Sequence, residues 1–264
     1  MSSLADSTAV SSSDDPSAGR SRPAPLPGTD FASAPAIADA LAALSPADRL
    51  RWAWTHFGAR AAIGTSFQPA GIAILHLAGS YGFSIPAFTL DTGLLFPETL
   101  ALKNQLEARL GHSIESVVPM QTVEQQAAEF GAELWKFDPN FCCQLRKVLP
   151  LHNRLMDASC WITGVRRDQS STRATTPIAE VFQVPNTDHR IWKLNVLADW
   201  SLDQVWTYLR EHKLPYNLLH DQGYRSIGCW PCTRLTGAGE DERAGRWTGF
   251  NKTECGIHIG GSGI

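Results

Sequence analysis

The cysteines are the residues of this chain whose spacing best suits chemistry. Cys142 and Cys143 are adjacent, and Cys229 and Cys232 form a CxxC pair, which is typical of metal binding or thiol chemistry. Adjacent cysteines rarely converge on one metal ion, but in a multi-iron cluster each cysteine can ligate a different iron. The four thiolates therefore predict an iron–sulfur cluster or a structural zinc in a Cys₄ site, with two unrelated pairs as a weaker alternative.

A fifth cysteine, Cys255, lies in a glycine-rich segment near the end of the sequence. Three cations precede it and a histidine follows it: Arg243, Arg246, Lys252 and His258. Cationic neighbours favour the nucleophilic thiolate, so the pattern predicts a catalytic thiol, against the alternative of a spare thiol on a frayed terminus. The sixth cysteine, Cys160, sits in an apolar run and is predicted to be a small core residue.

Positive charge is concentrated around the first cysteine pair, although the chain as a whole is balanced. Lys and Arg total 23 against 26 Asp and Glu, a net charge of −3, which argues against a global field for nucleic acid or anionic membranes. Between residues 141 and 175, Asp157 and Asp168 face a larger set of cations: Arg146, Lys147, Arg154, Arg166, Arg167 and Arg173. These cations form a solvated basic face or, because arginine pairs bidentately with oxyanions, a phosphate or sulfate site.

The composition of the chain ends predicts solvated segments around one folded domain. Residues 1–35 are rich in Ser, Ala, Pro and Asp and have almost no large apolar side chains, which predicts a disordered tail. They lack the basic and apolar regions of an export signal, and no run approaches the roughly 18 apolar residues of a membrane span. We therefore expect a cytoplasmic protein with reduced cysteines. We expect residues 36–240 to form the folded domain and residues 241–264 a mobile C-terminal tail.

Short apolar runs that alternate with amphipathic stretches predict the fold class. Strands are predicted over residues 61–66, 84–90, 113–118, 160–164, 181–184 and 190–195. Helices are predicted over residues 36–54, 71–78, 97–110, 122–130 and 201–212, the last two opened by capping boxes at Thr122 and Ser201. The alternation predicts an α/β protein with a mostly parallel twisted sheet and helices on both faces. Because ligands bind beyond the carboxyl ends of such strands, the polar segments 64–68, 91–93 and 164–168 are candidate binding loops.

Four motifs occur in a fixed order along the chain. They are Phe-Cys-Cys-Gln-Leu-Arg-Lys-Val at 141–148, Gly-Val-Arg-Arg-Asp-Gln-Ser at 164–170, Gly-Cys-Trp-Pro-Cys-Thr at 228–233 and Glu-Cys-Gly-Ile-His at 254–258. In this order they resemble the assimilatory adenylyl-sulfate (APS) reductases of the PAPS/APS reductase family, where PAPS is the 3′-phosphorylated nucleotide. The likeness covers about residues 60–258 and includes Asp91-Thr92-Gly93 followed by Phe-Pro-Glu-Thr at 96–99.

The resemblance implies an adenine nucleotide alpha hydrolase-like fold and an oxidoreductase acting on a sulfur group. Such enzymes reduce APS to sulfite and AMP, in sulfate assimilation and cysteine biosynthesis, through an S-sulfocysteine on the residue that matches Cys255. A separate thioredoxin or glutaredoxin supplies the electrons, and the sequence is compatible with a homo-oligomer. Cys142, Cys143, Cys229 and Cys232 match the ligands of a four-iron four-sulfur (4Fe-4S) cluster, and family members that lack these two pairs use PAPS.

The resemblance also implies substrate contacts. The positions that contact the phosphosulfate are matched by Lys147, Arg243, Arg246 and His258, and those at the adenosine part by Ser66, Asp91, Gly164 and Arg166. One departure lies after the first strand, where the family usually has a Glu-Asp pair and this chain has Phe67-Gln68. A second departure lies in the C-terminal tail, where a single tryptophan, Trp247, follows Arg246 and the family commonly has several. This departure implies that the tail docks differently.

Three rival functions compete with APS reduction. The nearest is a reductase that uses PAPS or accepts both nucleotides. An ATP pyrophosphatase-type ligase or thiolase acting on RNA would need a Ser-Gly-Gly-Xaa-Asp-Ser loop, which residues 64–71 lack. A non-enzymatic iron–sulfur or zinc protein leaves the Glu-Cys-Gly-Ile-His motif unexplained.

Overall fold

The fold is built on one six-stranded sheet. The structure, a computed structural model, describes residues 25–237, 239–252 and 254–258. Its strands are β1 Ala61–Gly64, β2 Ala87–Leu90, β3 Ile114–Val117, β4 Cys160–Thr163, β5 Ala179–Gln183 and β6 Arg190–Asn195. They are ordered β3-β2-β1-β4-β6-β5, and all neighbours are parallel except the edge strand β5, which is antiparallel to β6. The predicted mostly parallel sheet is confirmed.

Helices cover both faces of this sheet, as predicted. They are α1 Ala34–Ala42, α2 Pro46–Phe57, α3 Pro69–Ser80, α4 Pro97–Leu110, α5 Val123–Phe130, α6 Pro139–Cys143, α7 Leu149–Leu155 and α8 Leu202–Glu211. The larger core lies between one sheet face and α1, α2, α3, α4 and α8, and a smaller core lies between the other face and α7. Side chains of β4 alternate between them, with Ile162 in the larger core and Trp161 in the smaller one. No described helix is long and apolar enough to cross a lipid bilayer.

The strand order creates a crevice at one end of the sheet. Strands β2 and β3 lie on one side of β1, whereas β4 and β6 lie on the other, so the crossover connections diverge next to β1. In open α/β sheets, ligands bind at such a switch point, beyond the carboxyl ends of the strands. The segments that follow β1 and β4 are those predicted to bind a ligand.

The helix predicted over residues 36–54 is wrong in one respect, because the structure has two helices there. Between α1 and α2, Ser45 accepts a hydrogen bond from the backbone N–H of Asp48 and so caps α2. Pro46 then opens α2, where its missing N–H costs nothing but prevents continuation from α1. The capping boxes predicted at Thr122 and Ser201 are both present.

The disordered tail predicted over residues 1–35 is wrong for residues 25–35, which pack on the core; residues 1–24 lie outside the described part. The indole N–H of Trp192 donates to the carbonyl of Thr29 (3.1 Å), and that of Trp52 donates to the carbonyl of Pro27 (2.9 Å). The ring of Phe31 packs on Trp192, with centroids 5.7 Å apart. Two buried indoles thus acquire hydrogen-bond acceptors from a segment that has few apolar residues of its own.

We expect deletion of residues 1–31 to lower the free energy of unfolding by about 2–4 kcal/mol relative to deletion of residues 1–24. The longer deletion removes two hydrogen bonds to buried indoles, at about 1 kcal/mol each, and the buried part of Phe31. Urea denaturation of the two truncated proteins measures the difference, and equal stabilities would show that this segment contributes nothing to the core.

Candidate functional site

A cavity of about 180 Å³ lies at the crevice beyond the carboxyl ends of β1 and β4. Ser66 and Gly164, from the loops after these two strands, contribute to its wall. The C-terminal segment, defined here as residues 241–252 and 254–258, closes it from the other side. Five further predicted site residues line it: Lys147, Arg243, Arg246, Cys255 and His258. The fold thus brings together seven of the nine residues predicted to bind substrate or to act as the nucleophile.

The loop after β1 depends on close backbone packing. The hydroxyl of Thr65 accepts the N–H of Phe67, which has a left-handed backbone (φ 55°) and a buried ring. A Cβ on Gly164 would lie 3.1 Å from the backbone nitrogen of Gly71, so the end of β4 approaches the first turn of α3 as only glycine allows. The amino end of the twelve-residue α3 therefore faces the cavity, an arrangement that favours a bound anion.

Gln68 holds the loop before Cys229. Its side-chain amide donates to the carbonyl of Ile227 (3.1 Å), and its carbonyl oxygen accepts the N–H of Ile227 (3.2 Å). The residue that departs from the family's acidic pair therefore connects the β1 loop to the CxxC segment.

Cys255 is half-buried on the cavity wall, and its neighbours fix its position. Glu254 pairs with Arg173 (2.7 Å) and with Arg243 (3.1 Å). On the other side of Cys255, the ring of His258 stacks on Trp161, with centroids 5.3 Å apart and planes 10° apart. An ion-paired residue and a stacked residue therefore hold the thiol over the carboxyl end of the parallel strands.

His258 is held in its neutral form. Burial lowers its pKa well below the usual value, and the nearby charges of Lys193, Arg173 and Arg243 lower the pKa further. Its Nδ1 atom is buried without a hydrogen-bond partner in the described part of the chain. The cavity therefore presents this imidazole as an unsatisfied polar group.

Three cations, Lys147, Arg243 and Arg246, form what we call the cationic cluster. Arg243 pairs with Glu254, but no carboxylate among the described residues pairs with Lys147 or Arg246. Burial opposes the charge of Lys147, yet the neighbouring sulfurs of Cys229 and Cys143 raise its pKa above the usual value. Burial and the charge of Arg173 lower the pKa of Arg243 to about 10. The cavity wall therefore carries excess positive charge, which suits an anionic ligand.

Two residues predicted at the adenosine part do not line the cavity. The carboxylate of Asp91 accepts the N–H of Gly93 (3.0 Å) and shapes the turn after β2. Arg166 is 1% exposed and pairs with Asp168 (2.9 Å) and Glu242 (3.0 Å). Because Glu242 itself lines the cavity, Arg166 supports the wall from behind.

The remaining cations between residues 141 and 175 divide into structural and cavity residues. The buried Arg146 donates to the carbonyls of Thr92 and Thr122, so its charge fixes two loops. Arg154 pairs with Glu115 and Arg167 donates to the carbonyl of Thr176. Lys147 and Arg173 are the members of this group that reach the cavity.

The four paired cysteines meet beside the cavity. Cys142 and Cys143 end α6, where the helix widens into a π-helical turn, Gln144–Val148, that carries Lys147. Such turns are frequent at functional sites. Cys229 follows Gly228 and bridges to Leu95, with Cys232 three residues on. All are free thiols, and Cys160 lies apart from them in the larger core, as predicted.

These four thiols influence one another electrostatically. Burial, and then the neighbouring sulfurs of Cys143, Cys229 and Cys232, raise the pKa of Cys142 to about 12. Burial also acts to raise the pKa of Cys229, but the charge of Lys147 and a hydrogen bond with Thr92 (3.2 Å) lower it overall. No three His, Cys, Asp or Glu side chains within the described residues are grouped tightly enough for one metal ion.

Sequence reasoning missed several residues of this site. Trp161 could have been found, because strand alternation places it on the opposite face of β4 from Cys160. Arg173 was noted among the cations but not assigned to the substrate, and its ion pair with Glu254 joins residues 81 positions apart. No local pattern predicts such a contact.

Together, the open α/β sheet, the crevice at its switch point and the excess of positive charge on the cavity wall define an α/β protein with a cavity suited to an anionic ligand. Comparison with known proteins agrees. The family model described as "Phosphoadenosine phosphosulfate reductase domain" matches residues 60–235. The chain belongs to the phosphoadenosine phosphosulfate reductase family.

Individual relatives support this membership. The chain is 47% identical to the adenosine 5′-phosphosulfate reductase of Salinibacter ruber, over 79% of this chain and 82% of that protein. It is 43% identical to adenosine 5′-phosphosulfate reductase 2 of Bacillus subtilis, over 80% of this chain and 88% of that protein. Among solved structures, the phosphoadenylyl-sulfate (PAPS) reductase of Candida auris in a phosphate complex superposes with a TM-score of 0.68, at 28% identity, and covers 80% of this chain and all of that one.

We expect Gly228→Ala to lower the affinity for AMP about tenfold by displacing Arg246. A Cβ at this position overlaps the guanidinium of Arg246, and a lost charge-assisted hydrogen bond is worth about 1.5 kcal/mol. The displaced atoms end a flexible side chain, so unfolding free energy should change by less than about 1 kcal/mol. Calorimetric titration measures the affinity. The matched control introduces Gly228→Ala into the Arg246→Ala variant, where it should change the affinity for AMP little further. An equal loss of AMP affinity in the unaltered protein and in the Arg246→Ala variant would contradict the explanation.

Proposed function

We propose that this protein reduces adenosine 5′-phosphosulfate (APS) to sulfite and AMP through an S-sulfocysteine on Cys255. The observation that supports this proposal most directly is the position of the half-buried Cys255 in the wall of a cationic cavity at the switch point of the sheet. The relatives that are 43–47% identical bear the name of this activity.

The proposed reaction has two steps. The Cys255 thiolate attacks the sulfur of the phosphosulfate, the bond between sulfur and the bridging oxygen breaks, and AMP leaves with the electron pair. A dithiol then attacks the Cys255 sulfur and releases sulfite, and its second thiol resolves the mixed disulfide. The dithiol loses two electrons and the sulfate sulfur gains them.

The cationic cluster supports the first step. Negative charge builds on the leaving phosphate, and cations fixed there stabilise the transition state more than the ground state. Lys147 and Arg246 have no carboxylate partner in the described ranges, so their charge remains available to substrate. The stacked, neutral His258 can accept or donate a hydrogen bond at its unsatisfied Nδ1.

The substrate is proposed as APS rather than PAPS because of the names of the nearer relatives. One similar solved structure, at 28% identity, is a PAPS reductase, so a PAPS or dual-specificity enzyme is the second candidate. The 3′-phosphate of PAPS needs a further cation, and the candidates from the sequence, Arg20 and Arg22, lie outside the described residues.

We further propose that the four paired cysteines hold a 4Fe-4S cluster. The four sulfurs lie close enough to shift one another's pKa, and in a multi-iron cluster each thiolate ligates a different iron. Hydrogen bonds to Cys229 from Thr92 and Lys147 suit a thiolate ligand. When bound, the cluster would supply a local charge centre. Lys147 and Thr92 both contact Cys229 and line the cavity, and Lys147 is the charged one of the two.

The reductant is proposed to be a separate thioredoxin or glutaredoxin in the cytoplasm. Cys255 also lines a second groove of about 550 Å³, bounded by α7 and by residues 184–187. Cys255 therefore borders a groove on a side other than the nucleotide cavity. We also propose that the C-terminal segment opens to admit the nucleotide, because the cavity of about 180 Å³ is smaller than the roughly 300 Å³ of ordinary ligand pockets.

We expect the oxygen-free protein, incubated with APS and no reductant, to gain the mass of one SO₃ group. Intact-mass spectrometry after denaturation measures the gain, and thioredoxin should remove it. APS should label faster than PAPS. Cys255→Ser should not be labelled, whereas the matched Cys160→Ser should be labelled like the unaltered protein. Labelling that persists in Cys255→Ser would overturn the assignment of the nucleophile.

We expect the oxygen-free protein to contain about four iron and four sulfide per chain. Cys229→Ser should lose most of this iron, because it removes a ligand, whereas Cys160→Ser should keep it. Metal and acid-labile sulfide analysis measures both. One zinc per chain, with no sulfide, would favour the Cys₄ alternative without touching the proposal for Cys255.

A further inference from the structure

Four positively charged groups surround the ring of one buried tryptophan, Trp247, which is 2% exposed. The distances to its centroid are 4.6 Å from Arg246, 5.4 Å from Lys252, 5.6 Å from Arg243 and 6.0 Å from Lys147. All members of the cationic cluster therefore lie within cation–π range of a single indole. The proposed reaction gives Trp247 no role, so the gathering of these cations around its ring needs a separate explanation.

An aromatic ring holds cations differently from a carboxylate. A carboxylate neutralises the charge that it holds, whereas the ring face attracts a cation by its quadrupole and leaves the net charge in place. Like charges would otherwise push these side chains apart, because the ion pair that Glu254 makes within the cluster involves Arg243, and no described carboxylate forms an ion pair with Lys147 or Arg246. The indole can thus keep Lys147 and Arg246 together and still fully charged.

The backbone holds Trp247 in an unfavourable conformation. Its φ is 49°, in the left-handed region that bulky residues rarely adopt. Its indole N–H is buried without a hydrogen-bond partner in the part of the chain that the structure describes. Both features cost free energy, so the surrounding structure must impose the ring position.

The CxxC segment imposes it. The backbone N–H of Trp247 donates to the carbonyl of Cys232 (3.1 Å), and Thr233 bridges to Arg246. The ring is therefore fixed to the same short segment that carries Cys229 and Cys232, and the cationic cluster packs against the ring.

We propose that Trp247 is a positioning residue that gathers the cationic cluster into an oxyanion-binding site without neutralising it. The proposal rests on the proposed function for the identity of the oxyanion, the phosphosulfate of the nucleotide. The proposal says that the ring spaces three cations so that they bind a phosphate-type anion. Anion affinity can be measured without any reaction.

The test compares Trp247→Phe with Trp247→Leu in the oxygen-free holoprotein, with AMP and adenosine as probes. Leucine keeps an apolar side chain but has no quadrupole, whereas phenylalanine keeps a weaker one. We expect AMP affinity to fall about tenfold or more in Trp247→Leu and by clearly less in Trp247→Phe. Adenosine affinity, measured by competition, should change less than twofold in both, because adenosine lacks the anion.

Three outcomes would overturn the proposal: unchanged AMP affinity in Trp247→Leu, equal losses in the two variants, or equal losses for AMP and adenosine. The last would show a merely structural role. If either variant fails to fold, site-specific replacement of Trp247 by mono- to tetrafluorinated tryptophans keeps the shape and weakens the quadrupole stepwise. AMP affinity should then fall with each fluorine, and a flat series would refute the proposal. Neither readout depends on labelling of Cys255, so this test and that of the proposed function fail separately.

Discussion

Burial of an ammonium group away from water costs several kcal/mol unless an opposite charge or a set of polar partners compensates it. Lys147 is 9% exposed and pairs with no carboxylate in the residues that the structure describes. The neighbouring sulfurs of Cys143 and Cys229 compensate it instead and raise its pKa. A buried cation beside sulfur atoms, with no described carboxylate paired to it, thus adds positive charge to the cavity wall.

The sheet determines where this charge can act. Because the strand order places β1 between divergent crossovers, the loops after β1 and β4 meet at one crevice. The close contact of Gly164 with the first turn of α3 turns the amino end of that helix toward the same crevice. The helix dipole and the cationic cluster therefore favour an anion at a single place, and the C-terminal segment brings the thiol to that place.

Local patterns predicted most of the fold. The capping boxes at Thr122 and Ser201 and the alternation of apolar runs depend on residues within a few positions of one another, so sequence alone reveals them. One error was local, because the Ser45 cap and Pro46 divide the helix predicted over residues 36–54. The other errors came from distant partners. No residue near Thr29 in the sequence indicates that its carbonyl accepts a hydrogen bond from the indole of Trp192. No residue near Arg166 indicates that this arginine pairs with Glu242. In the site, motif likeness located Cys255 and the cationic cluster, but the ring that gathers the cluster depends on packing between segments about 100 residues apart.

Glu254 adds a tethered competitor to this site. Its carboxylate precedes Cys255 and occupies Arg243 and Arg173, so an anion that binds these arginines would exchange with a ligand that the chain itself carries at high effective concentration. The same two ion pairs that hold the thiol in place thus subtract from the affinity for substrate. Because salt screens these pairs, it loosens the docking of Cys255 and at the same time weakens the competition from Glu254.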